Sequence, residues 1–451
     1  MTFLTPRSVV AVDTAPGRRA LLVSLAAVVL ATVVVGVWLG LGVLSLPGLL
    51  VLAIALVVGG TWLLTRLPQA LVVLGPTLFP LPFMMRALWP LELTTFAFAA
   101  LVAVQGAVWR APWLTRLEDV EVANLAYVGW ALFTGFWCGD GSEYLTGVRR
   151  LLLGVTGLWI GLRLRNVVGR RSFELGLTGC ATTLAISALV RRSSTGLSEK
   201  TLLLHRDVAT DLGYGGANFI ATLLLVLTPL LLVMARRSVS RLRRVATWGV
   251  LVLIALVQVL IASRAASVLF VAGVLAFFGR SVSRRRWLAV GAAAVGLGGL
   301  LASPLSAGLL ARFTSVRDMG SIVVRIWYWR EAWRRTIAGF PWGIGLGQGR
   351  VWPDHLQHID PHDYWLFVSS ELGVIGVVAW LVVLIVLWRR IQRAPGDDVG
   401  RERAHALHVA FWLSQLHTLV EPTFQGPQYQ LLHFWVFGGW LGYAFHSRER
   451  T

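Results

Sequence analysis

Apolar runs long enough to cross a bilayer recur along most of this chain, and they restrict its fold more than any other feature. A spanning helix needs about 20 apolar residues, roughly 17–25. Inside hydrocarbon the backbone must satisfy its own hydrogen bonds, which leaves helices or closed barrels. Runs of this kind, several of them short, read as spans at Ala20–Leu39, Pro47–Leu64, Gln69–Leu81, Leu91–Trp109, Val122–Trp137, Val148–Leu162 and Ser172–Val190. They continue at Gly213–Met234, Val245–Ala262, Ala265–Phe278, Trp287–Ala302, Leu366–Trp388, Ala404–Leu416 and Leu431–Phe445. The expected fold is an all-α integral membrane protein, a polytopic bundle of about 12–14 transmembrane helices. Pro76 and Pro80 interrupt the third run, which reads as a broken or re-entrant helix packed against protein. The composition agrees, because 14% of residues are charged where soluble domains carry about 25%.

Arginine sets the orientation. The net charge is +19, and Lys200 is the lone lysine. Arg18/Arg19, Arg66, Arg110/Arg116, Arg163–Arg171, Arg236–Arg244, Arg280–Arg286 and Arg389–Arg393 fall in alternate connections. Positively charged connections stay on the cytoplasmic side, so both termini are expected there. The opposite set holds Cys138–Tyr144, Arg191–Asp211 and the long segment Ser303–Trp365. Charge scattered between spans does not make a nucleic-acid surface; membrane lipids are the expected surroundings. Cys138 and Cys180 belong to different spans, fit no metal spacing and read as packing residues.

Three regions follow: a bundle over 1–302, an extracytoplasmic loop over 303–365 and C-terminal spans over 366–451. The loop is polar, basic and rich in glycine and histidine, so chemistry is sought there. Ser321–Thr336 predicts an amphipathic helix lying in the interface, with Ile322, Ile326, Trp329 and Trp333 on one face and Arg325 and Arg330 flanking it. An arginine turned toward the protein body needs an anion. The glycines of Gly339–Arg350 fit either a plain turn-rich connection or a nest of backbone N–H groups for an anion. His355, His358 and His362 have near-helical spacing, but Pro361 breaks a common face and no familiar metal pattern is completed. His362 lies just before the chain returns to the membrane, where an imidazole can take a proton from an attacking hydroxyl. Arg264, between two apolar runs, is costly in hydrocarbon and calls for a partner or a polar cavity. With Arg149, Arg150, Arg191, Arg192, Arg206 and Arg325 it suggests a positive cavity facing outward, which His417 and Glu421 could also line.

Taken together, VVRIWYWREAWRRTIAGFPWGIGLGQG and DPHDYWLFVSSELGVIGVVAWL resemble the O-antigen ligase and O-antigen polymerase superfamily. An arginine (Arg325) leads a Trp-containing helix; Pro-x-Gly-x-Gly-x-Gly and a histidine follow; Glu-x-Gly-x-x-Gly, beginning at Glu371, opens a membrane helix. GGANFIATLLLVLTPLLL is similar to the family's Asn-containing span, placing Asn218, and IASRAASVL to its Ser-Arg segment, placing Arg264. The resemblance covers about Gly213–Leu384. Where the family pattern has asparagine after the histidine, this chain has Asp363.

The resemblance implies a GT-C-like helical fold and an inverting, metal-independent glycosyltransferase of the bacterial inner membrane, acting on the periplasmic side without a cofactor. Its donor would be a glycan on polyprenyl (undecaprenyl) diphosphate, and its acceptor a lipid, as in a ligase, or a growing glycan, as in a polymerase. It implies His362 as the catalytic residue and Arg264, Arg325 and Arg150 as ligands of the diphosphate. Asn218, Asp363, Glu371 and His417 are expected to line the substrate. A transporter or flippase of lipid-linked glycan is the alternative of another class. It would place charge or broken helices at mid-membrane and often show repeats, whereas the polar residues here gather at the outer face.

Overall fold

The computed structural model describes residues 117–167, 169–195, 217–261, 263–279, 319–350, 362–393, 398–421, 424 and 426–444. The four apolar runs before residue 117, the run Trp287–Ala302, and His355 and His358 lie outside them. Among the described residues all regular structure is helical. The helices are α1 (Asp119–Phe133), α2 (Gly141–Val167), α3 (Arg170–Thr195), α4 (Ala217–Arg237), α5 (Arg241–Ile261) and α6 (Arg264–Gly279). They continue as α7 (Met319–Ala338), α8 (Tyr364–Gln392), α9 (Asp398–Thr418) and α10 (Pro427–Ala444), with 3-10 turns at Thr134–Trp137 and Gln348–Arg350. Five of these, α2, α3, α4, α5 and α8, are long and apolar enough to cross a membrane, and α6 is apolar but shorter.

Apolar character explains the layering. Helix α4 is apolar all round and therefore belongs inside a bundle; 89% of its most apolar stretch is buried, against 39% for α5. Helices α2 and α10 meet backbone to backbone. A Cβ on Gly157 would lie 2.4 Å from the Leu431 carbonyl oxygen, and one on Gly161 would lie 2.6 Å from that of Trp435. Small residues at such a crossing let two helices approach closely where lipid supplies no hydrophobic drive.

Helices α2 and α9 extend beyond the apolar runs that announce them, because their polar ends are satisfied in the fold. Helix α2 starts at Gly141 rather than Val148. The Asp140 carboxylate caps that start, accepting from Ser142 N at 2.8 Å and Glu143 N at 3.1 Å, and Arg150 further along pairs with Glu371 of α8. Helix α9 runs Asp398–Thr418, well beyond Ala404–Leu416, and buries Arg403, Ser414, Gln415 and His417.

Two polar ends result. At the arginine-rich end, Glu121 pairs with Arg163, and Glu118 lies 3.3 Å from Arg165 and 2.5 Å from Arg390, tying α2 and α8 to the start of α1. Glu402 of α9 holds Arg236 and Arg237 at the end of α4. The opposite end gathers the start of α4, the end of α9, α7 and the start of α8.

Candidate functional site

Helix α7 lies over that second end. Its apolar face is turned away from the protein: Ile326, Trp327, Trp333 and Ile337 are exposed, whereas Tyr328, Ala332, Arg335 and Thr336 are buried. Trp327 and Trp333 thus point outward together with Arg330 and Arg334, while Arg335 and Thr336 point inward. The Thr336 hydroxyl is 3.0 Å from that of Ser369 on α8. Arg335 bonds Glu331 at 3.0 Å and donates to the Gln348 carbonyl oxygen at 3.3 Å.

Arg325, at the other end of α7, has the anion its position demands. Its Nη2 donates to Glu421 Oε1 at 2.7 Å and its Nη1 to the Val420 carbonyl oxygen at 3.0 Å. The other oxygen of the same carboxylate, Oε2, faces His362 Nδ1 at 3.4 Å. One buried carboxylate thus holds a guanidinium and an imidazole, and both keep contact with solvent: the side chains are 29% exposed for Arg325 and 35% for His362, but 6% for Glu421. Burial alone would raise the Glu421 carboxyl. The hydrogen bond with His362 and the charges of Arg325, His362 and His417 outweigh it and hold the group at about 2. Glu421 is therefore an anion.

His362 is held by its backbone as well. Its φ of 52° is unusual for a residue with a side chain, and such conformations concentrate where surroundings dictate them. The next residue ends the turn: the Asp363 carboxylate accepts from Trp365 N at 2.8 Å and Leu366 N at 3.0 Å, capping α8. Burial pushes the Asp363 carboxyl up, against the pull of those two bonds. The Tyr328 ring, 6.2 Å from the imidazole between centroids, closes the α7 side. With Nδ1 toward Glu421, Nε2 is the ring atom directed away from the carboxylate.

Below this group His417 is fully buried, with Nδ1 2.9 Å from the Thr222 hydroxyl. Thr222 in turn donates to the Asn218 carbonyl oxygen at 2.7 Å. His417 thus backs the site: its own carbonyl oxygen accepts from Glu421 N at 3.0 Å and fixes the turn that presents the carboxylate.

Arg150 and Glu371 form a second, deeper group. Arg150 Nη2 is 3.4 Å from Glu371 Oε2, both side chains are buried, and the guanidinium lies 5.0 Å from the Phe367 ring. Glu371 Oε1 accepts from Gly349 N at 3.1 Å. Glu371 is two helical turns along α8 from Tyr364, about 10 Å deeper. This pair is not in the Arg325–Glu421–His362 group; it anchors the glycine segment to the helix.

That segment spends its N–H groups on protein. Ile344 N and Gly345 N donate to the Ser370 and Glu371 carbonyl oxygens, each at 2.9 Å, and Leu346 N to the Thr134 hydroxyl at 2.9 Å. It is a packed connection rather than an anion nest. Its glycines follow from this contact: Gly343 has φ +80°, and a Cβ there would lie 2.3 Å from the Glu371 carbonyl oxygen.

Of the residues expected from sequence, Arg325 and His362 are brought together. Asp363, His417 and the Asn218 backbone support them, while Arg150 and Glu371 pair elsewhere. Arg264 opens α6, and its side chain lies outside the described residues. The carboxylate that joins the group, Glu421, stood out in the sequence as an acidic residue close to His417 at a helix end. Its two partners, 96 and 59 residues away, had no local signature. Compared with models of known protein families and with curated proteins, the chain matches none.

Proposed function

We propose that this chain is a membrane glycosyltransferase of the O-antigen ligase type. It would move a glycan, with inversion, from polyprenyl diphosphate to a hydroxyl of a lipid or a growing glycan at the outer face of a bacterial inner membrane. The observation that carries the reading is the single buried carboxylate of Glu421 shared by Arg325 and His362 at the end of the bundle away from the arginine-rich connections. Arginine-rich connections belong to the cytoplasmic side, which gives the site the opposite face. A site at the bundle end also favours transfer over translocation, which uses charge near mid-membrane.

The geometry is compatible with the following chemistry. Glu421 favours the tautomer with a proton on Nδ1 and leaves Nε2 as the base. An acceptor hydroxyl loses its proton to Nε2 as its oxygen bonds to the anomeric carbon. The bond from that carbon to the diphosphate oxygen breaks on the opposite face, and the electron pair leaves with the polyprenyl diphosphate. Arg325, exposed on one side, meets the growing negative charge, since guanidinium forks match phosphate oxygens. In this reading Arg264, at the start of α6, is the second cation. Fixed cations of this kind take the part of a divalent ion, and α7 with its outward tryptophans keeps the site at the membrane surface beside a lipid-anchored donor.

The test uses purified protein in nanodiscs with a polyprenyl diphosphate-linked oligosaccharide and candidate acceptors, with and without chelator. Wild type is expected to form glycosidic bonds in both conditions, and His362→Ala to remain folded and lose transfer. Near-normal transfer by His362→Ala refutes the role of the imidazole; loss on chelation refutes the metal-independent scheme.

A further inference from the structure

At the arginine-rich end, a hollow of about 430 Å³ is lined by Ala235, Arg236, Arg237, Arg244 and Trp248. These residues come from the last turn of α4 and the first two turns of α5. Topology accounts for arginines at this end but not for their arrangement. Arg236 Nη1 is 3.2 Å from Glu402 Oε1 on α9, and Arg237 Nε bonds the other oxygen. The Arg236 guanidinium also lies 5.9 Å from the Phe277 ring of α6. Arg244 Nη2 donates to the Ser238 carbonyl oxygen at 2.8 Å. Three guanidinium groups therefore border one hollow, and Glu402 beside it pairs with two of them, so among the described residues the lining itself is wholly cationic in its charged groups. Each already makes a hydrogen bond or ion pair with the protein, which lowers the ordering cost that a ligand has to meet.

We propose that this hollow binds the phosphate of an anionic glycerophospholipid. Arg237 and Arg244 would contact the phosphate oxygens, and Trp248 would contact the glycerol and the first acyl carbons. Guanidinium forks suit a phosphate. The hollow lies where two apolar helices end, at headgroup depth, and there a half-exposed tryptophan is at home. The site is distinct from the Arg325–Glu421–His362 group and does not depend on what that group does.

The test is lipid binding by full-length protein in neutral detergent, read by native mass spectrometry with phosphatidylglycerol, phosphatidylcholine or inorganic phosphate as the probe. Wild type is expected to prefer phosphatidylglycerol over phosphatidylcholine by about tenfold, the scale of one charge-assisted contact. Arg237→Gln/Arg244→Gln should lose that preference. Arg244→Gln alone leaves both Glu402 pairs in place and should weaken it, which separates loss of the site from loss of the fold. An unchanged preference in both variants overturns the proposal. So does inorganic phosphate that displaces phosphatidylglycerol at equal concentration, since the site would then take a free anion.

Discussion

Replacing Glu421 by Gln tests the centre of the site, because it keeps the shape and removes only the charge. A carboxyl held at about 2 instead of 4.5 has its ionised form favoured more than a hundredfold by the fold, about 3 kcal/mol at 1.36 kcal/mol per pKa unit. The variant also leaves Arg325 facing an amide, although that guanidinium is 29% exposed and recovers part of the loss from water. The expected destabilisation at neutral pH is therefore about 2–3 kcal/mol. It should depend on pH. A depressed carboxyl contributes stability that is complete above the unfolded value of 4.5 and fades as pH falls toward the folded value. The gap between wild type and Glu421→Gln, followed by intrinsic-fluorescence melting in detergent, should be widest at pH 6–7 and shrink between about pH 4.5 and 2.5. A gap that is absent, or that stays constant down to pH 2.5, refutes the assignment of Glu421 as the shared anion. Transfer by the same variant should fall by about 10²–10⁴, the scale of losing a positioned acid–base group.

Two further substitutions test the frame around the site. Arg150→Met removes the guanidinium from beside the buried Glu371 carboxylate, which keeps its bond from Gly349 N, and should cost about 3–5 kcal/mol, whereas Arg150→Met/Glu371→Leu should recover part of it; a double variant as unstable as the single one in a melting assay argues against the pair. Gly157→Val drives a side chain into the Leu431 carbonyl, 2.4 Å from the Cβ position, and should cut the yield of monodisperse protein severely; normal yield and melting would mean that α2 and α10 are not so close.

How much of this was legible in the sequence depended on how far apart the cooperating residues are. Helices α4, α5 and α8 announce themselves as apolar runs, and their observed bounds extend those runs by only a few residues at most termini. Helix α7 was legible too, since Ile326 and Trp333 repeat at helical spacing and both turn outward. The early turns of α2 were not, because Gly141–Gly147 (GSEYLTG) is mostly polar and joins no apolar run; the group that accepts Arg150 is 221 residues away. Likewise His362 and Arg325 could be proposed from local pattern, but the carboxylate between them comes from the turn after α9. The glycine segment offered two readings, and the acceptors that decide between them belong to α8.

The break in α8 carries a mechanical consequence. Gly373 has φ +66°, and a Cβ there would lie 2.0 Å from the Pro341 carbonyl oxygen, which accepts from Val374 N at 3.1 Å. An interrupted helix in a bilayer would expose polar main chain to oil; here the segment after α7 acts as a splint across the gap. Three main-chain hydrogen bonds, from Ile344 N, Gly345 N and Val374 N, join splint and helix, so a displacement of the end of α7 is expected to reach α8, at whose start His362 is mounted.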